Sequence, residues 1–301
     1  IPIKENYGYG LYYHDCRYLS GFLIRLMGIP PTRVLSSDDR GFRSTLMVTN
    51  PEMKDCTGTT IPKETLLGTL TTVIPGCVRH THTIRNFNMF PVTLSLTFEF
   101  DADFEDMFTI RGISLPTAAK VLPVRYDGKN LFLSYEGEDR HRRNTIVKFD
   151  PLPTRVEGKK CTFDLNIASH GSQTVNVEIS VEEIKPGQEP EQPVKNPDQR
   201  MNHIMKSYVT ALECCDNIPT SNNILNSIIM RSLADLNMMH MSLNGDMFHS
   251  AGIPWYDTLF GRDSIISALQ LLPFEAEMAK STLLVNAKFQ SKISDAWRDM
   301  E

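Results

Sequence analysis

Residues 91–100 read PVTLSLTFEF, in which Val92, Leu94, Leu96, Phe98 and Phe100 alternate with Thr93, Ser95, Thr97 and Glu99. A period of two puts every apolar side chain on one face of an extended segment, so this stretch predicts a strand with one buried side. The preceding CVRHTHTIRNF is rich in β-forming residues and NMFP supplies turn residues, which predicts that the two segments form an antiparallel hairpin. Comparable runs recur before and after: GFLIRLMG, STLMVTN, NLFLSYEG, NTIVKFDP, CTFDLNIA and QTVNVEISVEE. Separated by Gly, Pro and Asn turns, they predict an antiparallel β-sandwich over residues 1–184.

The pattern breaks at KPGQEPEQPVKNPDQ, residues 185–199, where four prolines and five charged side chains stand among fifteen residues. Too polar and too poor in amide donors to join a sheet, this stretch reads as an exposed linker. Beyond it, over residues 200–301, the period becomes 3.6. Met201, Ile204, Met205, Tyr208 and Leu212 form one helical stripe. Leu225, Ile228, Ile229, Leu233 and Leu236 form a second, opened by PTSNN, where Ser221 or a neighbouring Asn can cap the free amides. Ile265, Leu269 and Leu272 predict a short third helix stopped by Pro273, and Met278, Thr282, Val285 and Phe289 line a fourth. The Met-rich MMHMSLNGDMF, residues 238–248, is expected to pack within the helices. A multi-domain chain, β and then α, is the resulting fold class.

Composition narrows the function classes more than the fold. The formal net charge of −5 argues against wrapping nucleic acid or clinging to anionic lipid, and no apolar run is long enough to span a membrane. Six scattered cysteines without a CxxC pair fit reduced thiols in a cytoplasmic protein. The neighbours Cys214 and Cys215 are read as packing rather than as a redox or metal pair. No phosphate-binding glycine loop, GxSxG elbow or HExxH helix is present.

Chemistry concentrates in AGIPWYDTLFGRDS, residues 251–264, a loop that leads into the third helix. Trp255 and Tyr256 follow Pro254, whose fixed φ restricts the loop, and a constrained aromatic can offer its face to the C–H side of a sugar ring. Arg262 and Asp263 would add a donor fork and an acceptor pair for vicinal hydroxyls. An equally simple reading makes Asp263 a helix cap and its pairing with Arg262 an ordinary ion pair. Residue chemistry alone leaves both open.

This loop, with the following IISALQLLPFEAEMAKSTLLVNAKFQ, resembles the start of the catalytic helical domain of the glycogen-debranching, amylo-α-1,6-glucosidase family. GYGLYYHDCRYLSGFLIRLMG near the N-terminus, VIPGCVRHTHTIRNF and FEFDADFEDMFTIRG resemble that family's N-terminal domain. The sequence departs from the pattern at Cys16, where Thr is expected, and at Ser291, where Gly usually follows the Gln. The resemblance implies a sandwich followed by the first helices of an (α/α)6 toroid. It implies an α-glucan or small glucoside as substrate, cleaved by water without a cofactor and with inversion. It further implies that Trp255, Tyr256, Arg262 and Asp263 bind the sugar in the cleavage subsite. Such hydrolysis needs an acid and a base roughly 6.5 to 9.5 Å apart. Neither Asp257 nor Asp263 is assigned to that pair. Six hairpins require a dozen helices and only four are expected here, so the chain is expected to be a fragment whose catalytic acids lie beyond Glu301.

Elsewhere, His80 and His82 point the same way from one strand and are read as sheet-surface histidines rather than metal ligands, and no metal site is assigned. EGEDRHRRN, residues 136–144, reads as a solvated turn, and Asp15 and Arg17 are expected to pair across the first turn of the sandwich. Two rival classes remain: a non-catalytic carbohydrate-binding sandwich module, and an interaction protein anchored through the aromatic loop.

Overall fold

In the computed structural model, which describes residues 8–39, 43–73, 77–113, 119–188, 206, 220–243, 245–253 and 256–291, the alternating run forms the strand Val92–Asp101. Its five apolar side chains are at most 3% exposed. The chain divides into two compact units, Ile1–Met201 and Asn202–Glu301.

The first unit is sandwich-like. One sheet orders its strands Arg155–Glu157, Lys160–Ile167, Val92–Asp101 and Gly21–Leu26. The other runs Lys120–Val121, Asn130–Glu136, Arg142–Asp150, Ser172–Ile184, Val78–Asn86, Leu66–Val73, Arg43–Thr49 and Thr32–Asp39, with Arg125–Tyr126 beside Asn130–Glu136. All these pairings are antiparallel. Their inner faces share one core, in which Phe98 meets Phe22 and Phe163, and Phe149 meets Phe100 and Phe163.

The expected hairpin of Val78–Asn86 with Val92–Asp101 does not form. These consecutive strands belong to opposite sheets, and the chain between them arches across the core. The buried Asn86 sets that arch: its Nδ2 donates to the carbonyls of Phe90 at 2.9 Å, Ala168 at 3.1 Å and Ile167 at 3.3 Å. Its Oδ1 accepts from the backbone and side chain of Asn88, both at 2.9 Å. Each strand has one apolar face, and crossing to the opposite sheet lets the two faces cover each other.

The same register corrects the reading of His80 and His82. Val78, His80, His82, Ile84 and Asn86 all face inward, so both histidines are core residues rather than surface ones. His80 stacks on Phe22 at 4.7 Å and His82 leans on Phe98 at 4.6 Å. His80 Nδ1 lies 2.9 Å from the Thr72 hydroxyl, while Nε2 of His82 has no partner among the described residues. Burial lowers the pKa of His80 to about 4 and that of His82 to about 3.

In the second unit, the helix Asn223–Met238 is capped by the Asn222 side chain, which accepts from the amides of Ile224 and Leu225. The Met-rich segment is a correction. It forms the hairpin His240–Leu243 with Asp246–His249, turning at Gly245, whose φ of 92° suits a residue without Cβ. Asn-Gly is a hairpin signal stronger than the helical use of methionine. Helices Gly261–Leu271 and Ala276–Phe289 follow and pack on Asp246–His249 and on each other. The stripe Ile265, Leu269 and Leu272 is exposed, and the buried face is Ser264, Ala268 and Leu271. Small side chains let this helix approach the hairpin closely enough for Ser264 Oγ to donate to the carbonyl of His249 at 3.1 Å. Residues 189–199 of the expected linker, the stripe from Met201 to Leu212 apart from residue 206, and Cys214 and Cys215 lie outside the described residues. Antiparallel sandwich-like sheets followed by a few helices are the architecture, and among the described residues those helices close no ring.

Asn86→Ala leaves several buried polar groups without partners, so it should cost about 3 kcal/mol in urea unfolding; a loss under about 1 kcal/mol would show that the arch does not depend on it. For His80 and His82 the folded pKa values lie below the ordinary 6.5, so the unfolded chain takes up protons that the folded chain refuses. Their contribution is therefore full above about pH 6.5 and is lost as pH falls toward about 4. His82→Leu should flatten the decline of Tm between about pH 6.5 and about 4.5, and an unchanged decline would remove the histidines as its cause.

Candidate functional site

The candidate loop closes on itself before the helix begins. Gly252 and Tyr256 exchange both backbone hydrogen bonds, at 3.1 and 2.8 Å, and the Ala251 amide donates to the Thr258 carbonyl at 3.3 Å. This pinch presents Tyr256 to solvent, edge-on to Phe260 with ring centroids 5.8 Å apart. Trp255, with Pro254, lies outside the described residues. Asp257 is exposed.

Phe260 occupies the cap position of helix Gly261–Leu271 and no side chain caps its amides. Asp263 instead sits within the first turn, where its charge faces the positive end of the helix dipole. The Asp263 cap is thus not formed. Arg262 and Asp263 lie 3.7 Å apart, with side chains 83% and 39% exposed. Such a loose, hydrated pair contributes little to stability. Tyr256, Arg262 and Asp263 are therefore all reachable from solvent, with a guanidinium fork and a carboxylate on consecutive helical residues.

The sandwich holds two polar clusters that sequence reasoning read only in part. Arg17 is buried, and its Nε donates to Asp103 at 3.1 Å while another of its nitrogens reaches Glu105 at 3.3 Å. These carboxylates, far along the chain, hold the guanidinium that was expected to pair with Asp15. Gly10 makes room for it, since a Cβ there would stand 2.6 Å from the Arg17 side chain. His14 and Asp15, both at positive φ, form the two-residue turn between Leu11–Tyr13 and Cys16–Leu19. Beneath that turn lies Glu183, a buried carboxylate with Nδ1 of His14 at 3.2 Å, Nδ1 of His141 at 3.1 Å and Arg143 at 3.2 Å. Burial pushes the Glu183 pKa up, but the hydrogen bonds from the two histidines and the Arg143 charge outweigh it, and the net shift is downward. Of segment 136–144 only residues 137–141 form the turn, its ends belonging to the strands Asn130–Glu136 and Arg142–Asp150, and His141 and Arg143 are pinned to this carboxylate rather than free in water. One signal for Glu183 was present: Val175, Val177, Ile179 and Val181 alternate inward, and Glu183 continues their register. Cys16 nearby is buried, its thiol pushed up to about 12 by burial and so protonated.

In the helical unit, His249 is fully buried, and neither of its ring nitrogens has a partner among the described residues. His240 packs edge-on at 4.5 Å from the opposite strand, and both rings line a hollow of about 20 Å³ beside Glu275. Burial lowers both histidines to about 4 and raises Glu275. That volume holds about one water molecule. It is too small for a sugar.

Among the described residues no group of three or more His, Cys, Asp or Glu side chains could hold a metal ion, and no helix is long and apolar enough to cross a membrane. No curated protein sequence matches the chain. Solved structures with some likeness include a kojibiose phosphorylase-like protein from the human microbiome, with TM-score 0.42 and 9% identity over 87% of this chain and 32% of its own. Heparinase III gives TM-score 0.29 and 10% identity over 56% and 28%. A galactose mutarotase-like protein from Clostridium acetobutylicum gives 0.26 and 9% over 52% and 68%. The chain thus spans about a third of the first of these structures, and likeness at such scores carries no argument about activity. Residues 1–178 match the family described as the N-terminal domain of (some) glycogen debranching enzymes, more than half of the 301 residues and nearly all of the sandwich core, though not the loop at 251–263. On that match, the chain belongs to the family of N-terminal domains of glycogen debranching enzymes.

Proposed function

We propose that the chain is part of a glycoside hydrolase acting on α-linked glucans or glucosides, and that Trp255, Tyr256, Arg262 and Asp263 line its cleavage subsite. The observation that carries the reading is the family match across residues 1–178. Support for the subsite comes from geometry. An Arg and an Asp on consecutive residues, solvent-facing, 3.7 Å apart and without a capping role, keep their hydrogen-bonding capacity available to a ligand. A carboxylate accepts from two neighbouring hydroxyls, and a guanidinium donates in parallel to their oxygens. The exposed Tyr256 ring beside Phe260 offers an apolar edge for the C–H face of the same sugar. An apolar wall with a few convergent polar groups is the usual make-up of a site for a neutral ligand.

These residues bind and orient; they do not transfer protons. Hydrolysis requires in addition an acid to protonate the leaving oxygen and a base to activate water across the ring, roughly 6.5 to 9.5 Å apart if the configuration inverts. The helical unit would position the sugar, and a complete (α/α)6 domain would bring those two carboxylates over it. The substrate is the partner, and the reaction uses water and no cofactor.

In a protein carrying that complete domain, Arg262→Ala and Asp263→Ala should each lower kcat/KM on a maltooligosaccharide by at least about 100-fold while the circular dichroism spectrum stays unchanged. Normal kcat/KM in both variants would remove the assignment. Asp263→Ala should also lower helix stability by no more than the dipole contribution of about 0.3–1 kcal/mol, because no cap hydrogen bond is lost. A greater loss in urea unfolding would return Asp263 to a structural role. The chain of 301 residues alone should release no glucose from glycogen, and measurable release would place the catalytic pair within it.

A further inference from the structure

The outer face of the nine-stranded sheet carries a hollow of about 270 Å³ over three neighbouring strands, Arg142–Asp150, Ser172–Ile184 and Val78–Asn86. Register brings their outward side chains into two rows. Lys148, Glu178 and Arg79 stand side by side in one, and Asp150, Asn176 and Thr81 in the other. Neighbouring strands lie about 4.8 Å apart and same-face residues about 6.8 Å apart, so the six positions cover a patch of about 10 by 7 Å. One pyranose ring has that footprint.

The two rows differ in what they have left to offer. Glu178 already accepts from Arg79 Nε at 3.1 Å and Lys148 Nζ at 3.5 Å. In the second row the Thr81 hydroxyl donates to Asn176 Oδ1 at 3.1 Å. That leaves the Asn176 NH2 group and the Asp150 carboxylate without protein partners among the described residues. An amide that donates beside a carboxylate that accepts matches a pair of adjacent hydroxyls, each of which both donates and accepts.

Charge selects the class of ligand. Two cations, Arg79 and Lys148, stand against two carboxylates, Glu178 and Asp150, so the patch has no net charge. An anionic ligand would have to displace Glu178 from both cations and approach Asp150, whereas a neutral polyol need disturb neither. The two aromatic residues that line the hollow, His80 and Phe149, are buried, so binding here rests on the hydrogen bonds of the exposed rows.

We propose that this hollow is an accessory subsite for one neutral hexose unit, separate from the loop at 251–263. The polyol class follows from the hollow itself; that the hexose belongs to an α-glucan rests on the function proposed above. The site would hold one sugar unit weakly, through hydrogen bonds alone.

Amide chemical shifts of the chain, titrated with maltotriose to about 50 mM, test the inference at the weak affinities expected of a ligand this small. Shifts should appear at residues 79–81, 148–150 and 176–178. Asp150→Ala and Asn176→Ala should each weaken binding by about fivefold or more, while Tm and the spectrum elsewhere remain unchanged. Arg262→Ala should leave these shifts intact. Silence of the three strands toward maltotriose, lactose and sorbitol would overturn the subsite, as would shifts driven by inorganic phosphate in place of sugar. If lactose and sorbitol shift the strands and maltotriose does not, the polyol site holds and the α-glucan reading fails. Shifts confined to residues 256–263 would sink the accessory subsite while leaving the cleavage subsite standing.

Discussion

The inner faces of Val78–Asn86 and Val92–Asp101 cover one another across the sandwich, and the rest of the first unit follows from that contact. Two consecutive strands with matching alternation could lie side by side, but each would then need a separate cover. Placing them in opposite sheets buries both faces at once, with His82 against Phe98 and His80 against Phe22. Asn86 steadies the crossing by donating to the Phe90 carbonyl within the arch and to the Ile167 and Ala168 carbonyls beside it. With the inner faces committed, the alternate positions necessarily point outward. Arg79, Thr81, Lys148, Asp150, Asn176 and Glu178 therefore gather on one exterior surface as a geometric consequence of core packing.

Polar groups that enter the interior do so at a cost, and the fold treats them in two ways. Glu183 and Arg17 stay charged because each is met by several partners, so desolvation is offset by charge-assisted hydrogen bonds. The core histidines His80 and His82 meet no carboxylate among the described residues and stay neutral instead. Both strategies anchor distant segments. Residue 17 is tied to 103 and 105, and residue 183 to 14 and 141, so the N-terminal hairpin and the Asn130–Glu136 to Arg142–Asp150 turn are fixed at one carboxylate.

The helical unit obeys a different packing logic. Its close contact with the Asp246–His249 strand is made by Ser264, on the same buried face as Ala268, which leaves the larger Ile265, Leu269 and Leu272 outside. The same orientation puts Arg262 and Asp263 at the open start of the helix. Their exposure thus depends on which face of Gly261–Leu271 is buried, a choice made by the hairpin beneath it.

Much was legible in residue order. Alternation at 92–100 defined a strand and its buried side, the Asn residues of PTSNN announced a cap that Asn222 provides, and the change of period announced helices after the sheets. Local chemistry suffices for these because caps, turns and pleats involve residues a few positions apart. The loop at 251–263 was legible as a stretch leading into a helix, though not as a pinch between Gly252 and Tyr256. Alternation specifies a face and never a partner, so the sequence could not say that residue 82 pairs with residue 175 or that residue 98 pairs with residue 161. Nor could it say that two histidines in an apolar register go into the core, that MMHMSLNGDMF is a hairpin, or that the outward rows of three strands meet over one hollow. Those outcomes depend on contacts between residues far apart in the chain, and only the closed tertiary structure brings them within reach.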